Sequence, residues 1–233
     1  MNTIRLPKFD VATRKQAIAM FLKSFRKQLS PKLISSIASK EACATPLYLR
    51  FLLEELRLHA RFETIAAKTD ELLKFPNVGD LFLHILQIMD QEDFGKQGHP
   101  EISLKAARYI AASWLGLYHV DLAGLLAGQG DPRSPFNGKA RLSDLILTPL
   151  LARFSSFCSY DNGRITLMHS ALKHVFLDQN DEMSTARRDL VTHFSDFQDV
   201  NSLAETLFQL KQINDYRSIA KNINSSNMIA IWE

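Results

Sequence analysis

The chain has 233 residues, of which 46% are apolar, and a formal net charge of +3 at neutral pH. Such a chain can bury a sizeable core as one large or two small domains. It has no run of about eighteen apolar residues to cross a bilayer, and its N-terminus lacks the apolar core of a signal peptide. The chain has two cysteines, Cys43 and Cys158, and their spacing is not that of metal ligands. So few cysteines indicate a protein of a reducing compartment. We therefore expect a cytoplasmic protein that does not contact a membrane.

Charge is distributed unevenly along the chain. Residues 1–40 contain nine basic residues and one acidic residue, Asp10, so this segment carries +8 and the remainder carries −5. A basic segment of this kind can bind nucleic acid, a membrane surface or phosphate. It can also be a solvated helix face, or a face that packs against an acidic neighbour. We favour the solvated or docked face, because aromatic residues for base stacking are not interleaved with these charges.

The first part of the chain, 1–77, predicts a small helical domain. Residues 4–6, with Pro7 behind them, look like the end of a strand whose sheet is not present. Residues 11–29 predict an amphipathic helix closed by Ser30-Pro31, and a second helix covers about 31–40. The side chains expected on the buried face of the first helix are Ile18, Phe21, Leu22 and Phe25.

A proline marks the start of the next helix. Thr45 is expected as the N-cap and Pro46 as the first helical residue. The helix runs to about Leu58 and is apolar nearly all round, which predicts burial. Glu54 and Arg57 are three residues apart in it, and we expect them to form an ion pair.

The middle of the chain, 78–182, continues the helical pattern and then changes. A loop rich in glycine and proline covers 128–141, and a helical run covers about 143–157, which Pro149 kinks or restarts. A β-hairpin follows at 157–168 and leads into another helix. This order is typical of a winged helix with one wing. The helices expected before the loop are 62–74, 79–91, 101–115 and 119–127.

A histidine follows the second strand of that hairpin. Asn162 and Gly163 tolerate the positive φ of a two-residue hairpin turn. His169 then stands where a strand passes into an amphipathic helix, and backbone N–H groups at a helix start favour an anion such as phosphate. His169 is therefore a candidate phosphate ligand. His174 is five residues further on and turns to another side, so the two histidines are not expected to hold a metal.

Winged helices often bind DNA, and this alternative predicts a basic recognition helix. Such a helix needs Arg, Lys, Asn or Gln facing the groove. Residues 143–154 offer one arginine and one acidic residue among mostly apolar side chains, which is typical of a helix packed on protein. A DNA-binding winged-helix protein nevertheless stays open as an alternative.

The last segment, 183–233, predicts three short helices, around 184–196, 200–210 and 213–222, with a final piece after them. We interpret it as the start of an α-helical repeat array. It is too short to establish a repeat period, for which about three units are needed. A helical adaptor for protein–protein interaction is the second alternative.

Two blocks in this chain resemble motifs of the STAND (NACHT/NB-ARC-like) signalling NTPases of the nephrocystin and telomerase-associated type. The run Thr45-Pro46-Leu47-Tyr48-Leu49, with Leu53-Glu54-Glu55-Leu56-Arg57, looks like the "nPLyL…EELR" block of their helical domain. The run Ile165-Thr166-Leu167-Met168-His169 resembles the "MHD" block of their winged-helix domain. The order of domains and the helical tail are similar as well, so the resemblance covers essentially the whole chain.

The resemblance implies a nucleotide-dependent switch. In such proteins the proline of the first block packs near the adenine and the histidine of the second reaches the β-phosphate of ADP; these roles fall to Pro46 and His169. The winged helix would close over ADP or ATP, and exchange of ADP for ATP would release it for assembly with other copies. The expected partners are thus a P-loop domain and other copies of the same protein, with nucleic acid not expected.

Two departures from the family limit what this chain does alone. Ser170 stands where the motif has aspartate, although serine also caps helices well. The 233 residues also contain no G-x-x-x-x-G-K-[ST] loop to cradle phosphates. We therefore predict a non-catalytic module whose ADP or ATP is held by a missing P-loop domain, while the parent protein is an ATPase. No catalytic residue and no metal ligand is assigned in this chain.

Overall fold

A computed structural model describes residues 8–59, 61, 63–127, 142–177, 180–195 and 199–224. The fold is mainly helical, 73% by residue, with a small three-stranded antiparallel sheet, which confirms the predicted mainly-α class. The chain divides into two compact units, Met1–Ile85 and Leu86–Glu233. Of the described helices, none is both long and apolar enough to cross a membrane. The expected strand remnant at 4–6, the loop at 128–141 and the piece after 224 lie outside the described residues.

The first unit is built from short helices around one apolar core. Ile18 and Leu22 are buried as predicted, and the helix that begins at Pro46 buries seven of its side chains. The elements are α1 (Val11–Ser24), α2 (Pro31–Ser39), a 3₁₀ turn (Glu41–Ala44), α3 (Pro46–Leu58), α4 (Ile65–Leu72) and α5 (Val78–Ile88), which begins in this unit.

The first helix ends earlier than the sequence pattern predicts. Arg26 adopts a left-handed conformation with φ of 54°, and its N–H donates to the Lys23 carbonyl at 3.0 Å. The N–H of Lys27 donates to the Leu22 carbonyl at 2.9 Å, which completes a helix-ending motif usually built on glycine. Phe25 therefore lies outside the helix and is 42% exposed, so its predicted burial was wrong.

A buried arginine holds the chain in place before α3. Arg14 is 6% exposed, and its Nε donates to the Phe9 carbonyl at 2.9 Å. Its Nη1 donates to the carbonyls of Ala38 at 2.9 Å and Lys40 at 3.1 Å. Its Nη2 also lies 3.6 Å from a carboxylate oxygen of Glu41. Because a buried charge must be paired or hydrogen-bonded, these contacts fix the segment that leads into Pro46.

The second unit combines helices with the sheet. After α5 the chain makes a π-helical turn (Met89–Phe94) and a 3₁₀ turn (Gly95–Gln97). The buried Asp90 carboxylate in the first of these turns accepts the N–H groups that open the next helix. The elements that follow are α6 (Ile102–Ala112), β1 (Leu117–Tyr118), α7 (His119–Ala127), α8 (Asp144–Phe154), β2 (Cys158–Asp161), β3 (Arg164–Leu167) and α9 (Ser170–Leu177).

The sheet has the antiparallel order β1-β3-β2. The predicted hairpin is confirmed, and its turn residues Asn162 and Gly163 have φ of 48° and 77°. The sequence pattern missed β1, which has two residues, with Leu117 opposite Ile165. Gly116 before it has φ of 81°, and a Cβ there would lie 2.6 Å from a β3 side chain, so this close approach requires glycine.

The three helices predicted in the last segment are confirmed. They are α10 (Asn180–Phe194), α11 (Val200–Gln212) and α12 (Tyr216–Asn224). The buried face of α11 is unusual because it is mostly polar; Leu210 is its one buried apolar side chain. Such a face is stable only if its polar groups are hydrogen-bonded. Its buried polar residues are Ser202, Glu205, Thr206 and Gln209.

A buried glutamate is the centre of the hydrogen-bond network on this face, and Ser202 donates separately to Asp199. The Glu205 carboxylate is 2% exposed and accepts the backbone N–H groups of Trp114 at 3.0 Å and Leu115 at 3.2 Å, just after α6. Gln209 donates to the same carboxylate at 2.7 Å and accepts from Arg187 Nη1 at 2.7 Å. Burial lowers the pKa of Arg187, and the charge of Glu205 opposes that change. The network joins α10 and α11 to the end of α6.

We expect Glu205→Ala to destabilise the second unit. It would leave the two N–H groups after α6 and the Gln209 amide without their acceptor, which costs about 2–3 kcal/mol of unfolding free energy. Urea denaturation followed by circular dichroism measures this loss. The matched control is Glu92→Ala at an exposed site, for which we expect a change below about 0.5 kcal/mol. Equal stability of the two variants would contradict the role given to Glu205.

Candidate functional site

The backbone around His169 is held on both sides. Before it, β3 pairs with both other strands, and the Met168 N–H donates to the Phe157 carbonyl at 2.9 Å. After it, α9 is anchored by Leu172 and Phe176, both fully buried. His169 therefore stands at a defined point between a strand and a helix, as the sequence predicts.

The His169 side chain is exposed and caps α9. Its Nδ1 accepts the Ala171 N–H at 3.1 Å, so the neutral ring carries its proton on Nε2. The described residues provide no partner for that Nε2–H. The helix begins with Ser170, so the capping role expected of this serine falls to His169 instead. An imidazole donor thus stands at the positive end of a helix whose first turn contains no acidic residue.

Pro46 begins α3 on the surface of the first unit. It is exposed and occupies the first helical position, as predicted. Thr45 has the extended conformation of an N-cap, but in the described part of the chain its side chain makes no capping hydrogen bond. The helix behind Pro46 is fixed by Tyr48, whose hydroxyl donates to the carbonyls of Leu72 at 3.0 Å and Phe75 at 2.9 Å. An apolar ring on a rigid helix start suits contact with a flat ligand.

The second half of the first motif block has a structural role. Arg57 Nε lies 2.7 Å from Glu54 Oε2, which confirms the predicted ion pair. The Arg57 guanidinium also lies over the Phe25 ring, 4.6 Å from its centroid. These contacts engage Glu54 and Arg57 of the block within the first unit. Pro46 belongs to that unit and His169 to the second.

The second unit contains a cavity of about 260 Å³ that the sequence did not reveal. Asp121 on its wall lies 3.0 Å from His193 Nε2 and accepts the Tyr118 N–H at 3.2 Å. A hydrogen bond from Ser202 lowers the pKa of Asp199. These carboxylates are thus already engaged within the fold and hold the cavity wall together. The cavity is lined by Tyr118, Asp121, Arg164, Phe194, Asp199, Asn201, Ser202 and Glu205.

Comparison with known protein families, curated proteins and solved structures finds no match for this chain. The likeness to STAND NTPases therefore depends on the two motif blocks and on the order of the elements. The nucleotide-contact roles of Pro46 and His169 remain predictions. What the structure adds is the placement of their side chains.

We expect the helix cap made by His169 to contribute measurably to the free energy of unfolding. His169→Ala removes the acceptor for the Ala171 N–H and should cost about 1 kcal/mol, whereas His169→Asn keeps a capping side chain and should retain most of it. Chemical denaturation of both variants tests this difference. His174→Ala is the matched control, because His174 is an exposed histidine on the same helix. A His169→Ala variant as stable as the control would show that the cap contributes nothing.

Proposed function

We propose that this chain is the non-catalytic regulatory module of a nucleotide-switched STAND NTPase. A P-loop domain outside these 233 residues holds ADP or ATP and makes the parent protein an ATPase. The His169 Nε2–H donates to the β-phosphate of ADP, and the Pro46 ring packs near the adenine. The observation that carries this proposal is the exposed His169 side chain at the start of α9, whose Nδ1 accepts the Ala171 N–H and leaves Nε2 as the donor.

The order of the elements in the second unit supports the proposal. A short strand precedes two helices, a hairpin follows them, and the short strand joins the hairpin to give the order β1-β3-β2. A winged helix has this arrangement, with β2 and β3 as its wing. Because one fold serves many functions, the assignment to a nucleotide switch depends on His169 rather than on the fold.

The proposed contact has the strength that a switch needs. A hydrogen bond to a charged phosphate is worth about 1.5–3 kcal/mol, which changes an equilibrium about tenfold to a hundredfold. With ADP bound, this contact holds the winged helix against the nucleotide. Exchange for ATP releases it, and the freed module assembles with other copies in the cytoplasm. The contact uses the neutral ring, because a proton on Nδ1 would break the cap of α9.

The surface of α8 favours a protein partner over DNA. Leu145 is 84% exposed, and Pro149 and Ala152 are exposed on the same side of the helix. Arg153, the helix's arginine, lies 3.2 Å from Asp93 and is already engaged. A groove-reading helix needs polar or basic side chains in these positions. The apolar surface suits contact with the P-loop domain or with another copy, whereas salt-dependent binding to duplex DNA would support the alternative.

The function is tested by the ADP affinity of the protein that carries the P-loop domain together with this chain. His169→Asn keeps the helix cap but does not place an imidazole Nε2–H at the phosphate. We expect it to weaken ADP binding about tenfold to a hundredfold, and ATP binding less, in isothermal titration calorimetry.

The control for this experiment is His174→Ala, which should leave both affinities unchanged. The isolated chain should bind neither nucleotide, because it lacks the phosphate-cradling loop. Tight ADP binding by the isolated chain would contradict the proposal. An unchanged ADP affinity in His169→Asn would contradict the assigned role of the histidine.

A further inference from the structure

The first unit carries exposed basic side chains that form no ion pair with any described residue. The sequence has seven basic residues and no acidic residue between Asp10 and Glu41. Arg14 is buried in its carbonyl cage, and the Lys27 ammonium donates to the carbonyl of Arg57. The described residues offer no ion-pair partner to four exposed cations, Lys15, Lys23, Arg26 and Lys32.

These cations lie at exposed positions along α1, in the turn after it and at the start of α2. At about 100° per residue, Lys15, Met20 and Lys23 lie within an arc of about 140° on α1. Lys15 borders the buried face, about 20° from Leu22, and Met20 lies farthest from that face. Met20 is 65% exposed among them. Arg26 ends the helix, and Lys32 follows at the exposed start of α2. We refer to Lys15, Met20, Lys23, Arg26 and Lys32 as the basic ridge.

Arg26 occupies its position against the preference of the backbone. Its φ of 54° places it in the left-handed region, where glycine has no Cβ penalty and is the usual residue at a helix end. The backbone hydrogen bonds of the helix end hold this conformation, but the described residues provide no hydrogen-bond or ion-pair partner for the Arg26 guanidinium. A strained, exposed charge of this kind points to a use outside the fold.

We propose that the basic ridge binds the anionic surface of a lipid bilayer. Each lysine or arginine close to such a surface strengthens binding about fivefold, and the attraction falls off within a Debye length. Met20 inserts its thioether into the apolar edge of the headgroup layer, as apolar side chains of surface-bound helices do. Binding of this kind needs no spanning helix, so it revises the sequence-based expectation that the chain does not contact a membrane.

A bilayer fits this ridge better than nucleic acid does. Single-stranded nucleic acid is bound by aromatic rings on which the bases stack. The partly exposed ring next to the ridge, Phe25, already has the Arg57 guanidinium over one face, 4.6 Å from its centroid. A methionine exposed among the cations adds nothing to a phosphate contact, whereas it gains from an apolar layer. The ridge therefore combines charge and apolar surface in the way that an anionic bilayer requires.

The test is sedimentation of the full chain with vesicles at low salt. One set contains about 30% phosphatidylserine in phosphatidylcholine and the other contains phosphatidylcholine alone. We expect binding to the anionic vesicles only, with a steep decrease as salt is added. Arg26→Gly should weaken binding about fivefold, and K15Q/K23Q/R26G together about a hundredfold. Met20→Gln should weaken vesicle binding without changing any residual binding to nucleic acid.

Arg26→Gly also controls for folding, because glycine suits the left-handed position and cannot unfold the helix end. The matched control for the triple variant is K105Q/K211Q/K221Q, which removes the same charge from exposed sites in the second unit and should bind normally. The proposal would be overturned by no binding of the unmodified chain, by equal binding to both vesicle types, or by an equal loss in the control variant. The chain could instead bind duplex or single-stranded nucleic acid more tightly than anionic vesicles. If the triple variant lost that binding, the proposal would be overturned and the ridge would be assigned to nucleic acid.

Discussion

A buried charged side chain organises each unit of this molecule. A charge removed from water is tolerated only when its hydrogen-bonding capacity is met, and meeting it fixes the backbone groups that serve as partners. In the first unit Arg14 gathers the carbonyls of Phe9, Ala38 and Lys40. In the second unit Glu205 gathers the N–H groups after α6. In both units a single buried charge thus joins backbone groups that belong to separate elements.

At the candidate site, too, one side chain has a structural role through its hydrogen bond. The His169 ring uses one nitrogen to cap α9 and leaves the other as an N–H donor on an exposed side chain. The structural bond thereby determines which nitrogen is the donor, because a neutral imidazole has one donor and one acceptor. A contact to phosphate from that donor would couple nucleotide state to the position of the whole second unit. If His169 both caps α9 and binds the phosphate, a change of nucleotide would act on α9 directly through this one side chain.

Local signals in the sequence predicted the elements whose causes are local. Pro46 marked the start of α3, and Asn162-Gly163 marked the hairpin, because both residue types restrict or permit particular φ values. The end of α1 was missed because Arg26 occupies a position where glycine is the usual signal. The strand β1 was missed because two residues are too few to show an alternating pattern.

The remaining features depend on partners far apart in the chain. Glu205 meets Trp114 across 91 residues, and His193 meets Asp121 across 72, so no window of sequence contains either pair. The position of His169 at a strand-to-helix junction could be predicted, but its cap and its tautomer could not, because they depend on the direction of the ring. The basic character of residues 1–40 was visible in the sequence, whereas the set of unpaired cations required the contacts.

The central claim is that His169 presents a neutral Nε2–H to the β-phosphate of ADP. Long-range proton–nitrogen NMR spectra of the P-loop-containing protein, labelled with ¹⁵N-histidine, test it directly. We predict that His169 carries its proton on Nε2 without nucleotide, and that ADP shifts the Nε2 resonance while Nδ1 remains an acceptor. A proton on Nδ1, or an Nε2 resonance that does not move when ADP is bound, would contradict the account.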